Sequence, residues 1–280
     1  MSHRLMSIVA GIEYTDHGSK VNEAISRTPI VCLHGIGGDH NSFEPQWQTL
    51  SDTHRVLAWN MPGYRGSTPL EQLNFETLSD RFIQWIDALN IGMVHIVGQS
   101  IGGMLAQTIA FRYPDRVQSL VLIATTAAFG GRDDSFKKKF LDARMAPLDN
   151  GEIMADLANR FVPEIVGSAA PSVAVNAAIK SMAAVPEATY RRIMECLVTF
   201  DGRAQWLELD CPICLIAGSQ DTNAPARAME KMALTLNGSR AREPHRCEYH
   251  CVEGAGHLVN LEQADTCNNI IRQFLLNPQN

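Results

Sequence analysis

The stretch from Val94 to Tyr113 restricts the possible folds of this chain more than any other. A short apolar run, Val94 to Val97, breaks at Gly98. A second apolar run with helical propensity extends from Ser100 to Tyr113, where Pro114 stops it. Between them stands Gly98-Gln99-Ser100-Ile101-Gly102. A G-x-S-x-G pattern that leaves a strand and opens a helix reads as a sharp turn presenting the serine. The residues two positions away must be small, and Gly98 and Gly102 meet that need, with Gly103 adding room. The helix N-terminus favours negative charge developing nearby. Ser100 is therefore the candidate nucleophile.

The surrounding sequence repeats the same alternation. Strands are predicted at Pro29 to His34, Arg55 to Trp59, Val117 to Ala124, Pro212 to Ala217 and Cys247 to Val252. Helices are predicted at Glu76 to Asn90, Ala224 to Leu236 and Leu258 to Leu276. Leu5 to Tyr14 suits an antiparallel hairpin at the start. Strand and helix in turn imply an α/β fold, a mostly parallel eight-stranded sheet with helices on both faces. Residues 129–200 break the rhythm. They hold helix-like stretches punctuated by Pro147, Pro163, Pro171 and Pro186, and no clear strand. They read as a helical cap inserted into a core of residues 1–128 and 201–280, over the sheet edge where ligands bind.

Composition narrows the class. At 280 residues and 45% hydrophobic, the chain can bury a full core and is too apolar for disorder. A formal net charge of -6 argues against nucleic acid, which selects a basic face. No run of 18 apolar residues offers a membrane span. The N-terminus, with Arg4 and an apolar stretch broken at Glu13, lacks a secretory pattern, and seven cysteines suit reduced thiols, so the cytoplasm is the expected location. Cys211 with Cys214, and Cys247 with Cys251, have metal-like spacing. They fall in or beside strands whose alternate residues diverge, so buried structural thiols are expected and no metal.

A serine hydroxyl needs a base. Of nine histidines, His257 follows the last strand, in Gly254-Ala255-Gly256-His257, at the same sheet edge as Ser100. His34 reads as bracing a loop and His95 as a strand residue. His40 and His54 read as surface residues. The base needs a carboxylate to fix its tautomer. Asp221, after the Pro212 to Ala217 strand, is the first choice, with Asp133 and Asp134 behind it. The loop His34-Gly35-Ile36-Gly37-Gly38 could point the Ile36 N–H at the reacting centre, joining the Ile101 N–H as an oxyanion hole. Each such donor contributes about 3 kcal/mol to the transition state.

These segments, with Asn60-Met61-Pro62-Gly63-Tyr64-Arg65-Gly66-Ser67 and Gly218 to Pro225, resemble the α/β-hydrolase fold with a helical cap, from about Ile30 to Leu276. Asn60 departs from the family pattern, where many members have Asp; the position supports a turn. A serine nucleophile excludes the dehalogenase and epoxide hydrolase chemistries of the same fold, which use Asp. Ala124 to Ala128 and Gly256 to Gln263 resemble 3-oxoadipate enol-lactone hydrolases. The resemblance implies a small-molecule ester or lactone substrate, no cofactor, no nucleic acid and no membrane, with a homodimer left open. For an anionic substrate it implies a cation nearby, Arg132 first and Arg144 second, with Phe129, Phe136, Phe140, Phe161 and Met145 candidates for the pocket wall. Alternative readings are a carbon–carbon bond hydrolase of the meta-cleavage type, a general carboxylesterase or perhydrolase, and a receptor that keeps the triad.

Overall fold

The computed structural model describes residues 5–18, 27–130, 134–239 and 247–276. Its sheet is eight-stranded: β1 (Leu5–Val9), β2 (Ile12–His17), β3 (Ile30–Leu33), β4 (Val56–Trp59), β5 (Val94–Gln99), β6 (Val117–Ile123), β7 (Ile213–Gly218) and β8 (Cys247–Val252), in the spatial order β1-β2-β4-β3-β5-β6-β7-β8. β1, β2 and β4 pair antiparallel in turn, and every pair from β4 to β8 is parallel. The chain runs from β3 outward to β4, then crosses back to β5 on the other side. The loops after β3 and β5 therefore diverge and leave a crevice at the carboxyl ends of the strands, where open α/β sheets bind ligands.

Alternation along the strands divides the core in two. Cys32, Ala58, Val97 and Val121 face α1 (Glu44–Leu50) and α11 (Ala264–Leu276) through Trp47, Leu50 and Phe274. Leu33, Trp59, Ile96 and Leu122 face α2 (Phe75–Ala88), α3 (Ile101–Arg112) and α9 (Ala226–Ser239). Strands buried on both faces favour apolar residues at most positions, which explains the hydrophobic runs of β3, β4 and β7. α2 starts where Asn74 and Thr77 cap each other, Thr77 N–H to Asn74 Oδ1 at 2.8 Å and Asn74 N–H to Thr77 Oγ1 at 3.2 Å.

Between β6 and β7 lie α4 (Asp134–Asp149), α5 (Met154–Ile165), α6 (Ser172–Ala183) and α7 (Glu187–Leu197). α8 (Arg203–Trp206) follows. The two ends of this helical block meet: Phe129 N–H donates to Phe200 O at 2.9 Å, and Gly202 N–H to Ala127 O at 2.8 Å. Pro147 and Pro163 sit inside the last turns of α4 and α5, where helices end within two residues of them. The predicted helix from Leu258 to Leu276 is two pieces, α10 (Val259–Glu262) and α11, broken at Gln263 (φ -128°, ψ 54°). Among the described residues no helix is long and apolar enough to cross a membrane.

Several polar residues lie deeper than the sequence implies. His40 and His54, expected at the surface, are buried, as is His95. His40 N–H donates to Asn60 Oδ1 at 2.9 Å, and His95 Nδ1 lies 2.7 Å from Ser119 Oγ. Among the cysteines, Cys251 is exposed rather than buried, because it points outward from the edge strand β8; Cys211 is half-buried. His34 is wholly buried. Its Nδ1 lies 2.8 Å from Gly35 O while its Nε2 accepts the Met61 N–H at 3.0 Å, a pattern only the neutral Nδ1–H tautomer satisfies.

Burial pushes the imidazoles of His34, His54 and His95 down to about 4. In the unfolded chain they titrate near ~6.5. Between those values the unfolded state binds more protons, so stability is full above pH ~6.5 and is lost as the pH falls toward 4. The urea midpoint should drop steeply from pH 7 to pH 5, with up to about three protons taken up on unfolding. His95→Gln should shallow that slope by about one proton. A pH-independent midpoint would contradict the assignment.

Candidate active site

Ser100 joins β5 to α3 at φ 56° and ψ -120°, a backbone region that favours glycine and here carries a side chain. Holding such a residue costs about 1–3 kcal/mol, so its surroundings must over-determine it. Ser100 N–H donates to Ile123 O at 2.9 Å. Its carbonyl accepts from Gly103 N–H at 2.9 Å, Met104 N–H at 3.1 Å and Thr125 Oγ1 at 2.7 Å. A Cβ on Gly102 would lie 2.1 Å from Leu33 O, and one on Gly98 2.5 Å from Gly102 O. The turn closes only with glycine at both positions.

Ser100, Asp221 and His257, some 157 residues apart at the extremes, come together. His257 Nε2 lies 3.0 Å from Ser100 Oγ, and His257 Nδ1 lies 2.8 Å from Asp221 Oδ2. Asp221 Oδ1 accepts the N–H groups of Asn223 at 2.8 Å and Ala224 at 3.0 Å. Burial pushes the Asp221 carboxyl upward, but the hydrogen bonds from His257, Ala224 and Asn223 outweigh it and hold the group below the ordinary carboxylate range. An ionised carboxylate only accepts, so the proton on His257 goes to Nδ1 and the Nε2 lone pair faces the hydroxyl. Of the alternative carboxylates, Asp134 begins α4 and Asp133 lies outside the described residues.

The histidine is held through its backbone from two directions. Its N–H donates to Ile165 O at the end of α5, at 2.7 Å, and its carbonyl accepts from Gln99 Nε2 at 2.9 Å. The buried Glu262 carboxylate accepts from Gly256 N–H at 2.9 Å, Leu258 N–H at 2.9 Å and Gly167 N–H at 2.7 Å. The α10 break after Glu262 lets this side chain turn back to the loop it follows. Gln99, Glu262, Ile165 and Gly167 were not legible as site residues. Glu262, five residues beyond His257, was the only one with a signal, as a charged residue in an apolar segment.

After β3, Gly38 N–H donates to Gly35 O at 3.0 Å and closes a turn with Ile36 at its second position. That leaves the Ile36 N–H outside the turn's own bond. Tyr64 Oη donates to Ile36 O at 2.7 Å and fixes the peptide plane. Ile101 opens α3, where an amide has no partner within its own helix.

A cavity of about 540 Å³ opens above Ser100 and His257. Phe129 and Phe136 line it, as the sequence predicts, and so do Phe140 and Phe161. Met145 does not; it packs against the hydrophobic core, because one step along α4 rotates a side chain by about 100° and Arg144 takes the inward position. Arg132, the first-choice cation, lies outside the described residues. Among the described residues, Cys214 is the one of the paired cysteines that joins a possible donor group: with Glu248 and His250 its ligand atoms lie within 4.8 Å of one another, on β7 and β8 and apart from the cavity lining.

The family described as alpha/beta hydrolase fold matches residues 28–147. The chain is 25% identical over 278 residues to 3-oxoadipate enol-lactonase 1 of Acinetobacter baylyi, covering 96% of this chain and 98% of that protein. It is 28% identical over 255 residues to the dihydrolipoyllysine-residue acetyltransferase component of the acetoin cleaving system of Pseudomonas putida, covering 89% of this chain but 63% of that longer protein. Its fold matches the crystal structure of the enol-lactonase from Burkholderia xenovorans LB400 with a TM-score of 0.80, at 22% identity, over 94% of this chain and 96% of that one. The chain has the α/β-hydrolase fold, and the proteins it is similar to include a lactonase, a depolymerase and an esterase.

Glu262→Gln tests the backbone latch. The amide keeps the shape but presents one acceptor oxygen to three N–H groups. Stability should fall by about 1–3 kcal/mol. In urea titrations and ester assays, kcat should fall about 10-fold or more with KM changed less, the mark of a displaced base. An unchanged kcat would remove the latch from the chemistry.

Proposed function

We propose that this protein is a serine hydrolase that opens an ester or lactone of a small carboxylate-type molecule through an acyl-enzyme. The observation that carries the reading is the unbroken relay Asp221–His257–Ser100, at 2.8 and 3.0 Å, ending on the cavity floor. Ser100 Oγ attacks the acyl carbon while His257 Nε2 takes its proton. The negative charge on the carbonyl oxygen is met by the Ile36 and Ile101 N–H groups. The bond to the leaving oxygen breaks, and His257 returns the proton to that oxygen. Water then gives a proton to His257, attacks the acyl carbon and frees the acid, and the proton goes back to Ser100. Asp221 stays ionised throughout and supports the imidazolium.

The lactone reading draws on the likeness to the 3-oxoadipate enol-lactonase, which extends over nearly the full length of both chains. An enol leaving group departs readily because it becomes a ketone. A cavity of about 540 Å³ suits a small organic molecule rather than a polymer. Residues 129–200 act as the cap, supplying the aromatic wall above the serine.

Ser100→Ala should lower kcat on p-nitrophenyl esters by about 1,000-fold or more and leave the circular dichroism spectrum and thermal midpoint close to wild type. A variant retaining near-normal turnover would refute the nucleophile assignment.

A further inference from the structure

The sheet carries a second group of chemistry-bearing side chains, away from the cavity. β7 and β8 pair in parallel, with Cys214 opposite Glu248 and Ile216 opposite His250. Successive residues of a strand face opposite sides, so Glu248 and His250 share one face. Cys214 stands on that face too, packed among the residues that meet α11. One ligand atom from each of the three lies within 4.8 Å of the others. Spacing along the chain, Cys211 with Cys214 or Cys247 with Cys251, does not bring these donors together. They converge across two neighbouring strands, which lie about 4.8 Å apart in any sheet.

The geometry is closer to a ligand set than to an ion pair. His250 Nε2 lies 3.4 Å from Glu248 Oε2. That is long for a hydrogen bond to nitrogen, which prefers about 2.7–3.2 Å. Two such atoms held by one tetrahedral zinc, each about 2.0–2.2 Å from it, stand about 3.3–3.6 Å apart. Cys214 is buried behind them, and its Sγ has no hydrogen-bond partner among the described residues. Closing the sulfur to about 3.6 Å from the other two completes three corners of the tetrahedron, a movement within the reach of side-chain rotation. Glu248 and His250 are half-exposed, which gives an ion a way in and leaves the fourth corner to water.

We propose that Cys214, Glu248 and His250 bind one zinc-like divalent ion, which pins the edge strand β8 to β7. A thiolate, an imidazole and a carboxylate together suit Zn2+ and not the oxygen-seeking Mg2+ or Ca2+. Burial pushes the Cys214 thiol upward, so the metal takes the place of a proton. As the sulfur–metal bond forms, the S–H proton leaves to solvent, while the Glu248 carboxylate and the neutral His250 ring each donate a lone pair. β7 leads into the loop of Asp221 and β8 into that of His257, so the ion fastens together the two strands that carry them. None of its three ligands lines the cavity, and zinc binding is independent of the hydrolase reading.

The test titrates the untagged, reduced protein with metal. Co2+ should bind with one equivalent giving a thiolate-to-cobalt charge-transfer band in the near ultraviolet, and calorimetry with Zn2+ should give a Kd of about 10 µM or tighter. Zinc should also raise the thermal midpoint of wild type by several degrees, and Mg2+ should not. Cys214→Ala should abolish the cobalt band, and His250→Gln and Glu248→Gln should each weaken zinc by at least about 10-fold. Cys251→Ser, on the opposite face of β8, should change neither readout. If Cys214→Ala folds poorly, the variants at the half-exposed positions 248 and 250 decide the matter through the zinc affinity. A Kd weaker than about 10 µM, a band that survives in Cys214→Ala, or zinc affinity unchanged in His250→Gln and Glu248→Gln overturns the site.

Discussion

A side-chain-bearing residue in the backbone region at φ 56° is the constraint from which the rest of the site follows. Strain at Ser100 persists because the bonds that hold it belong to the core. Ile123 and Thr125 belong to β6 and the residues after it, and Leu33 closes β3 against Gly102. Relaxing the turn would mean parting the central strands, whose positions are buried and mostly apolar. A rigid sheet thus sets the hydroxyl at the crevice between the β3 and β5 loops. The remaining groups are brought to it by loops from strands on either side.

Those loops are not held by the sheet alone. The helical block grips the histidine loop through Ile165 and Gly167, and it reaches the glycine loop through Ser181, whose Oγ lies 3.4 Å from Asp39 Oδ1. Thr189 Oγ1 donates to Gly63 O at 2.9 Å on a third side. The residues that shape the cavity and the backbone that aims the imidazole are therefore one connected structure. A change in the block that shifts the end of α5 also shifts His257, so the cavity wall and the imidazole are mechanically linked. Gly256 shows how tight this joint is: a Cβ there would lie 2.5 Å from Gly167 N and from Ile165 O.

The sequence exposed the parts of this design that local chemistry determines. Strands buried on both faces announced themselves as apolar runs. Gly98, Ser100 and Gly102 announced a turn, and Asp221 and His257 each followed a recognisable strand. What stayed hidden depends on contacts across long separations. Glu262 meets Gly167 across 95 residues, and no pattern near Gly167 predicts an amide aimed at a carboxylate. His40 and His54 looked like surface residues because their flanks are polar, yet packing onto Trp47 and His95 encloses them. Met145 and Arg144 are neighbours in an amphipathic helix. Which of them faces the cavity depends on where α4 sits against α5 and α7, a tertiary fact.

In the proposed mechanism the Asp221–His257 relay makes one hydroxyl, and no other, a nucleophile toward acyl and phosphoryl centres. The most direct measurement is intact-protein and peptide mass spectrometry after brief exposure to a fluorophosphonate at neutral pH. A single adduct is expected, on the peptide carrying Ser100, forming rapidly in wild type and far more slowly in His257→Gln. No adduct, an adduct on another residue, or equal labelling of the His257 variant would contradict it.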